Sequence, residues 1–306
     1  MTRLLRLAVL CALVGALGVL AGCGGGAAQV ERGEPISFEQ LSQAATTSAD
    51  ATSGRFSFSL EMTMPGTSEP FAFSGDGAFD ANAERAAFSL DLSSFAELLG
   101  GMLSGLGAPA GSGPRFDDPS AWRIEVVQDG EVMYMRFPAV SSELPSGKSW
   151  VRMGLGAAAR TQGFDLSELH TLAGNDPRDV LELLRAASDE IETVGMEELR
   201  GVATTHYRAV VSLLDYEKLV PESTRQELGP MLGEMLEQTG LDELPVDVWL
   251  DAEGLVRRLD MSFSATQPGT GESAAAELTY ELFDYGKVVE VELPPAAEVV
   301  DAASLD

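Results

Sequence analysis

Few side chains in this sequence have the type and spacing to carry covalent or proton chemistry. Its histidines are His170 and His206, and its cysteines are Cys11 and Cys23. A zinc site gathers three or four His, Cys or carboxylate ligands, and two distant imidazoles fall short of one. No Gly-x-Ser-x-Gly elbow presents a serine nucleophile, and no glycine-rich phosphate loop runs into a lysine. The 48 acidic residues are dispersed, without the Asp-x-Asp-x-Asp-Gly loop that holds calcium. No enzymatic activity, no metal and no cofactor are therefore expected. That leaves one thiol, Cys23, in a distinctive place.

Cys23 lies in "VLAGCGGG" (19–26), at the end of an uncharged run from Leu7 to Gly22 that follows Arg3 and Arg6. A positive start and an apolar stretch make a secretory signal, expected over 1–22. The run is short of the roughly 20 apolar residues a spanning helix needs, and Gly15, Gly18 and Gly22 weaken it as a helix. Leu20-Ala21-Gly22-Cys23 resembles the lipobox of bacterial lipoproteins. The resemblance implies a diacylglyceryl group on Cys23, which becomes the first mature residue; the alternative is an ordinary signal whose small residues precede a cysteine. One acyl chain holds a protein weakly and two hold it stably. The expected location is thus the extracytoplasmic face of the cell membrane, through diacylglyceryl-Cys23.

Charge gives that anchor a task. The formal net charge is −28, and losing Arg3 and Arg6 with the signal deepens it by two. Such a surface repels phosphate backbones, which excludes nucleic acid as a partner, and it is repelled by anionic headgroups too. With Cys11 in the signal and Cys23 acylated, no disulfide is expected, so stability must come from an apolar core that a chain with 45% hydrophobic residues can build.

The elements that must form this core are mostly strands. "RFSFSLEMTM" (55–64) places Phe56, Phe58, Leu60, Met62 and Met64 on one face and Ser57, Ser59, Glu61 and Thr63 on the other, the period of a half-buried strand. "FAFSGDGAFD" (71–80) continues with Phe71, Phe73 and Phe79, and "AFSLDL" (87–92) with Phe88 and Leu90. Two strands flank Asp129-Gly130 within 122–138, carrying Met133 and Met135. Further strands are expected at 148–153, 190–195, 202–213 (Tyr207, Val211), 245–251 (Val248, Leu250), 255–263 and 275–286. Trp249 falls between Val248 and Leu250 and should face outward, as should His206 beside Tyr207.

Helices are expected at 37–50, with Ser37 and Gln40 forming a capping box, at 176–188 behind Asp176-Pro177, and at 221–240, kinked at Gly229-Pro230. About eleven strands and a few helices give an α+β fold, a strongly curved antiparallel sheet wrapped over the helices around a possible hydrophobic cavity. Phe56, Phe58, Leu60, Met62, Phe71, Phe73, Phe88, Leu90, Met133, Met135, Tyr207, Val211, Val248 and Leu250 are its lining candidates, against the plainer reading of a packed core. Phe95, Leu98, Leu99, Met102 and Leu103 have helical spacing interrupted by Gly100, Gly101 and Gly105, which suggests a lid; the alternative is a helix packed on the core.

Three stretches, "GNDPRDVLELL" (174–184), "VGMEELRGVATTHYRAVVSL" (194–213) and "PVDVWLDAEGLVRRLDM" (245–261), resemble actinobacterial lipoproteins of the LppX/LprAFG type, whose fold is similar to the LolA and LolB carriers. The resemblance implies a single LolA-like domain over 37–295, a half-barrel of antiparallel strands closed by helices. The chain departs from it at 93–118, which reads as an apolar, Gly-rich insertion, and the residues themselves suggest a flexible tether over 23–36 and a tail over 296–306. It implies binding or carriage of lipid or acylated glycolipid at the cell envelope. The alternative function is a sensory or scaffold lipoprotein with a filled core and an envelope protein partner.

Overall fold

The computed structural model describes residues 33–63, 70–105, 118–154, 191–212, 243–266 and 273–305. The expected signal, Cys23, Met64, His170 and the helices expected at 176–188 and 221–240 lie outside them.

Alternating sequence becomes alternating burial. Ser53–Thr63 forms β1, with Phe56, Phe58 and Leu60 buried between partly exposed Ser57 and Ser59. β2 (Phe71–Asp80), β3 (Arg85–Asp91), β4 (Arg123–Asp129), β5 (Val132–Arg136) and β6 (Trp150–Gly154) follow as an antiparallel meander. A second meander comprises β7 (Ile191–Leu199), β8 (Val202–Ser212), β9 (Glu243–Asp251), β10 (Val256–Thr266) and β11 (Ser273–Phe283). The meanders meet at β1 and β11, so one open, curved sheet of twelve strands runs β12-β6-β5-β4-β3-β2-β1-β11-β10-β9-β8-β7. Arg200 (φ +50°) and Gly201 (φ +79°) turn β7 into β8 with positive φ at both positions, the backbone of a two-residue hairpin that matches strand twist.

Two boundaries differ from expectation. Residues 296–306, read as a tail, supply β12 (Val299–Asp301), which pairs in parallel with β6 and buries Val300. Three residues are too few to show an alternation, which is why the expected count was one strand short. The last residues of the expected tether are also fixed to the sheet: Gly33 N donates to Thr205 Oγ1 (3.1 Å), Glu34 O accepts from Tyr207 Oη (3.1 Å), and Ile36 is buried.

Helix α1 (Phe38–Ala49) begins with the expected capping box: Gln40 N donates to Ser37 Oγ and Ser37 N to Gln40 Oε1. Its Leu41 and Ala44 pack with Tyr207, Val246, Val248 and Leu250. Ser48 Oγ accepts from Val256 N at 2.7 Å and ties the last turn to β10. Helix α2 (Ser93–Gly105) opens behind Asp91, whose Oδ1 accepts from Ser93 N. Phe95 and Leu98 pack against Leu60, Phe71, Phe73 and Ala276, so the first half of the expected lid joins a core cluster. The side chains of Leu99, Met102 and Leu103 lie outside the described set.

Candidate functional site

Registers show which side chains share a face. One cross-strand row runs Thr193, Tyr207, Val248, Leu259, Tyr280, Phe58, Gly75, Leu90 and Ile124, from β7 to β4. Because directly opposed residues in antiparallel strands point to the same side, this row and its parallel neighbours define one apolar face. A second row holds Leu282, Phe56, Gly77, Phe88, Val126 and Met135. Leu60 and Met62 pair with Phe73 and Phe71, and Leu250 and Met133 share the same side by alternation. The lining candidates thus lie together on the face that α1 and α2 cover; the side chain of Val211 is outside the described set.

This face is not uniformly filled. Phe56, Phe58, Leu60, Phe71, Phe73, Tyr207, Val248 and Leu250 are buried. Phe88, Leu90, Ile124, Met133, Met135, Val151 and Met153, on β3 to β6, are only half-buried. Gly75 and Gly77 take no part in turns; they make room for rings. A Cβ on Gly75 would strike the Phe58 ring and Ser89 O, and one on Gly77 would strike the Phe56 ring and Ala87 O. The rings of Phe56 and Phe58 therefore lie flat across β2.

Two hydroxyls on this face were not singled out from the sequence. Tyr280 is half-buried as a residue, but its Oη is closed off from solvent and has no hydrogen-bond partner among the described residues; Thr193 Oγ1 is in the same position. Burial pushes the Tyr280 phenol well above its usual range. The Tyr207 phenol is also raised, by burial first, then with Thr205 opposing and Glu34 adding. The only signal available in sequence was that Tyr280 falls on the apolar phase of "AAELTYELF".

No protein-family model matches the chain. A Streptomyces griseus protein, described as an uncharacterized 31.2 kDa protein in the rplA–rplJ intergenic region, is 26% identical over 163 residues, which span 51% of this chain and 48% of that protein. The chain thus matches about half the length of this curated relative. Similar solved structures include the Mycobacterium tuberculosis lipoprotein LppX (14% identity, TM-score 0.41, 83% of this chain and 96% of that one). LprF of Mycobacterium bovis follows (13%, 0.40, 84% and 96%), with a LolA-superfamily protein of Nitrosomonas europaea further off (8%, 0.22, 82% and 95%). These neighbours assign this chain no ligand.

The opposite, polar face is tightly cross-linked at the β7 to β11 end. His206 stacks on Trp249 (4.0 Å between centroids, 13°), and the Arg258 guanidinium lies over the Trp249 ring, 5.0 Å from its centroid. The imidazole faces Glu197 Oε1 through Nδ1 (3.2 Å) and Asp247 Oδ1 through Nε2 (2.5 Å), while Trp249 Nε1 donates to Glu197 Oε2. Both rings have the expected outward orientation, but each is 6% exposed, because they cover one another. Arg200 reaches from the β7–β8 turn to Glu281 and Ser57, over the Phe283 ring. Two grooves also open on this side. One, of about 460 Å³, is lined by Ser57, Ser59, Ser74, Asp76, Ser89 and Arg123 among others; the second, of about 600 Å³, includes Glu61, Thr63, Ser262, Ser264 and Glu277. Neither is the apolar cavity expected from the sequence. Among the described residues no group of three His, Cys, Asp or Glu could hold a metal, and no helix is long and apolar enough to cross a membrane.

Proposed function

We propose that this protein is an exported, non-enzymatic lipoprotein that binds the acyl chains of a lipid or glycolipid against the apolar face of its sheet, tethered through diacylglyceryl-Cys23 at the outer face of the cytoplasmic membrane. The observation that carries this reading is the half-buried Phe88, Leu90, Ile124, Met133, Met135, Val151 and Met153 on β3 to β6, beside a helix-covered core. An apolar surface left partly wet gains about 0.8 kcal/mol for each CH₂ it removes from water. Methionine suits such a surface because its flexible thioether adapts to chains of irregular shape. Affinity then grows with chain length and needs few polar contacts.

Anchoring supports the same reading. The net charge of −28 holds the domain off an anionic bilayer, and a diacylated Cys23 keeps it within reach of lipid. The rival, an envelope scaffold with a filled core, draws on the dense packing of Leu41 and Ala44 against Val248 and Leu250. Native mass spectrometry of protein purified from membranes with Cys23 intact separates them: a reproducible co-purified lipid mass supports the carrier, and consistently empty protein overturns it.

A further inference from the structure

Polar groups on the apolar face mostly have partners. Tyr207 Oη donates to Glu34 O, and His206 and Trp249 spend theirs on the other side of the sheet. Tyr280 differs. It stands at the middle of the sheet, on β11 beside the seam with β1, with Leu259 and Phe58 as its row neighbours. Its ring stacks on Phe56 (5.8 Å, 20°), and it packs in the cluster of Phe56, Phe58, Phe79, Phe88 and Leu90. That cluster borders the half-buried strands β3 and β4.

Its hydroxyl has neither a protein acceptor among the described residues nor contact with solvent, an arrangement native structures rarely leave unexplained. A closed state that orphans a donor is weakened relative to an opened one in which an acceptor reaches it, so a ligand carrying that acceptor gains differential affinity. The polar groups nearest the hydrocarbon of an acylated lipid are its ester or amide carbonyls, which accept hydrogen bonds and cannot donate through oxygen.

On the reading that this face binds acyl chains, we infer that Tyr280 Oη donates a hydrogen bond to a ligand acyl carbonyl and thereby selects ester- or amide-linked lipids over ether-linked or free hydrocarbon chains. Thr193 lies four strands away along the same row, about 19 Å at ordinary strand spacing, too far to serve the same carbonyl. It provides an internal control.

The test uses the full-length protein, delipidated, with dipalmitoylphosphatidylcholine and its dihexadecyl diether analogue as probes. Wild type is expected to bind the ester about tenfold more tightly than the diether, the effect of one hydrogen bond to a buried donor. Tyr280→Phe keeps the ring stack, so its Tm without lipid should match or exceed that of wild type. It should bind the diether unchanged and lose the preference, whereas Thr193→Val should retain it. Equal affinities in wild type, or a preference that survives in Tyr280→Phe, overturns the role of Tyr280 while leaving lipid binding intact. Failure of wild type to bind either probe overturns the lipid-binding reading itself.

Discussion

At the scale of single residues, one buried carboxylate organises a turn: Asp251, 2% exposed at the end of β9. Its Oδ1 accepts from Glu253 N and Leu255 N, and its Oδ2 from Arg257 Nε at 2.6 Å. One carboxylate thus closes the β9–β10 turn and neutralises a guanidinium that itself lies 5.0 Å from the Tyr285 ring. Removing it leaves two backbone donors and a mostly buried cation without an acceptor. Breaking a buried ion pair from one side costs about 3–5 kcal/mol, so Asp251→Ala is expected to lose at least about 3 kcal/mol, read as a lower midpoint in urea unfolding. Exposed pairs such as Arg152–Asp301, with about half of each side chain in solvent, should matter far less; Arg152→Ala is expected to change stability by less than about 1 kcal/mol.

At the scale of elements, β12 shows what three residues can do. It covers the outer edge of β6, with Ser149 N donating to Glu298 O and Lys148 Nζ to Ala297 O on the way in. An uncovered edge strand offers unpaired N–H and C=O groups to another chain. Deleting residues 296–306 is therefore expected to lower Tm by a few degrees and to produce concentration-dependent self-association by sedimentation velocity; a strictly monomeric product would contradict it. The contrast with β1 explains how much was legible in sequence. Ten alternating residues in "RFSFSLEMTM" specify a strand and its buried face, and Ser37 with Gln40 specifies a helix start. Val299–Asp301 is too short to show a period. Gly75 and Gly77 become meaningful only once register sets them opposite Phe58 and Phe56. The candidate site was legible as a list of side chains on one face, but not as an uneven surface. Which parts are filled depends on where α1 and α2 land, and that is decided by contacts distant in sequence.

At the scale of the whole molecule, stability converges on the seam where the two meanders meet. β1 and β11 pair from Arg55–Phe283 to Thr63–Ala275, and just past the end of β11 Tyr285 Oη donates to Val256 O at 2.7 Å. The Tyr280 hydroxyl on β11 is closed off from solvent and the Tyr285 hydroxyl behind it is spent on Val256 O, and burial pushes both phenols well above the ordinary value near 10. The consequence for folding has a definite sign. Below pH 10 both states hold the phenolic protons, and stability does not depend on pH through them. Above it the unfolded chain releases them while the folded chain keeps them, so the unfolded state binds fewer protons and stability falls as pH rises. Each retained proton contributes a slope of up to about 1.4 kcal/mol per pH unit. Cooperative loss of the sheet by circular dichroism is expected above about pH 10, together with a rise in tyrosinate absorbance at 295 nm. Tyr280→Phe should make the decline shallower by removing one of the three raised phenols, Tyr207 being the third, without disturbing the Phe56 stack. If the tyrosinate absorbance that separates wild type from Tyr280→Phe already develops near pH 10 while the sheet stays folded, the Tyr280 phenol is reached by hydroxide in the native state, and the seam is not the closed centre of the fold.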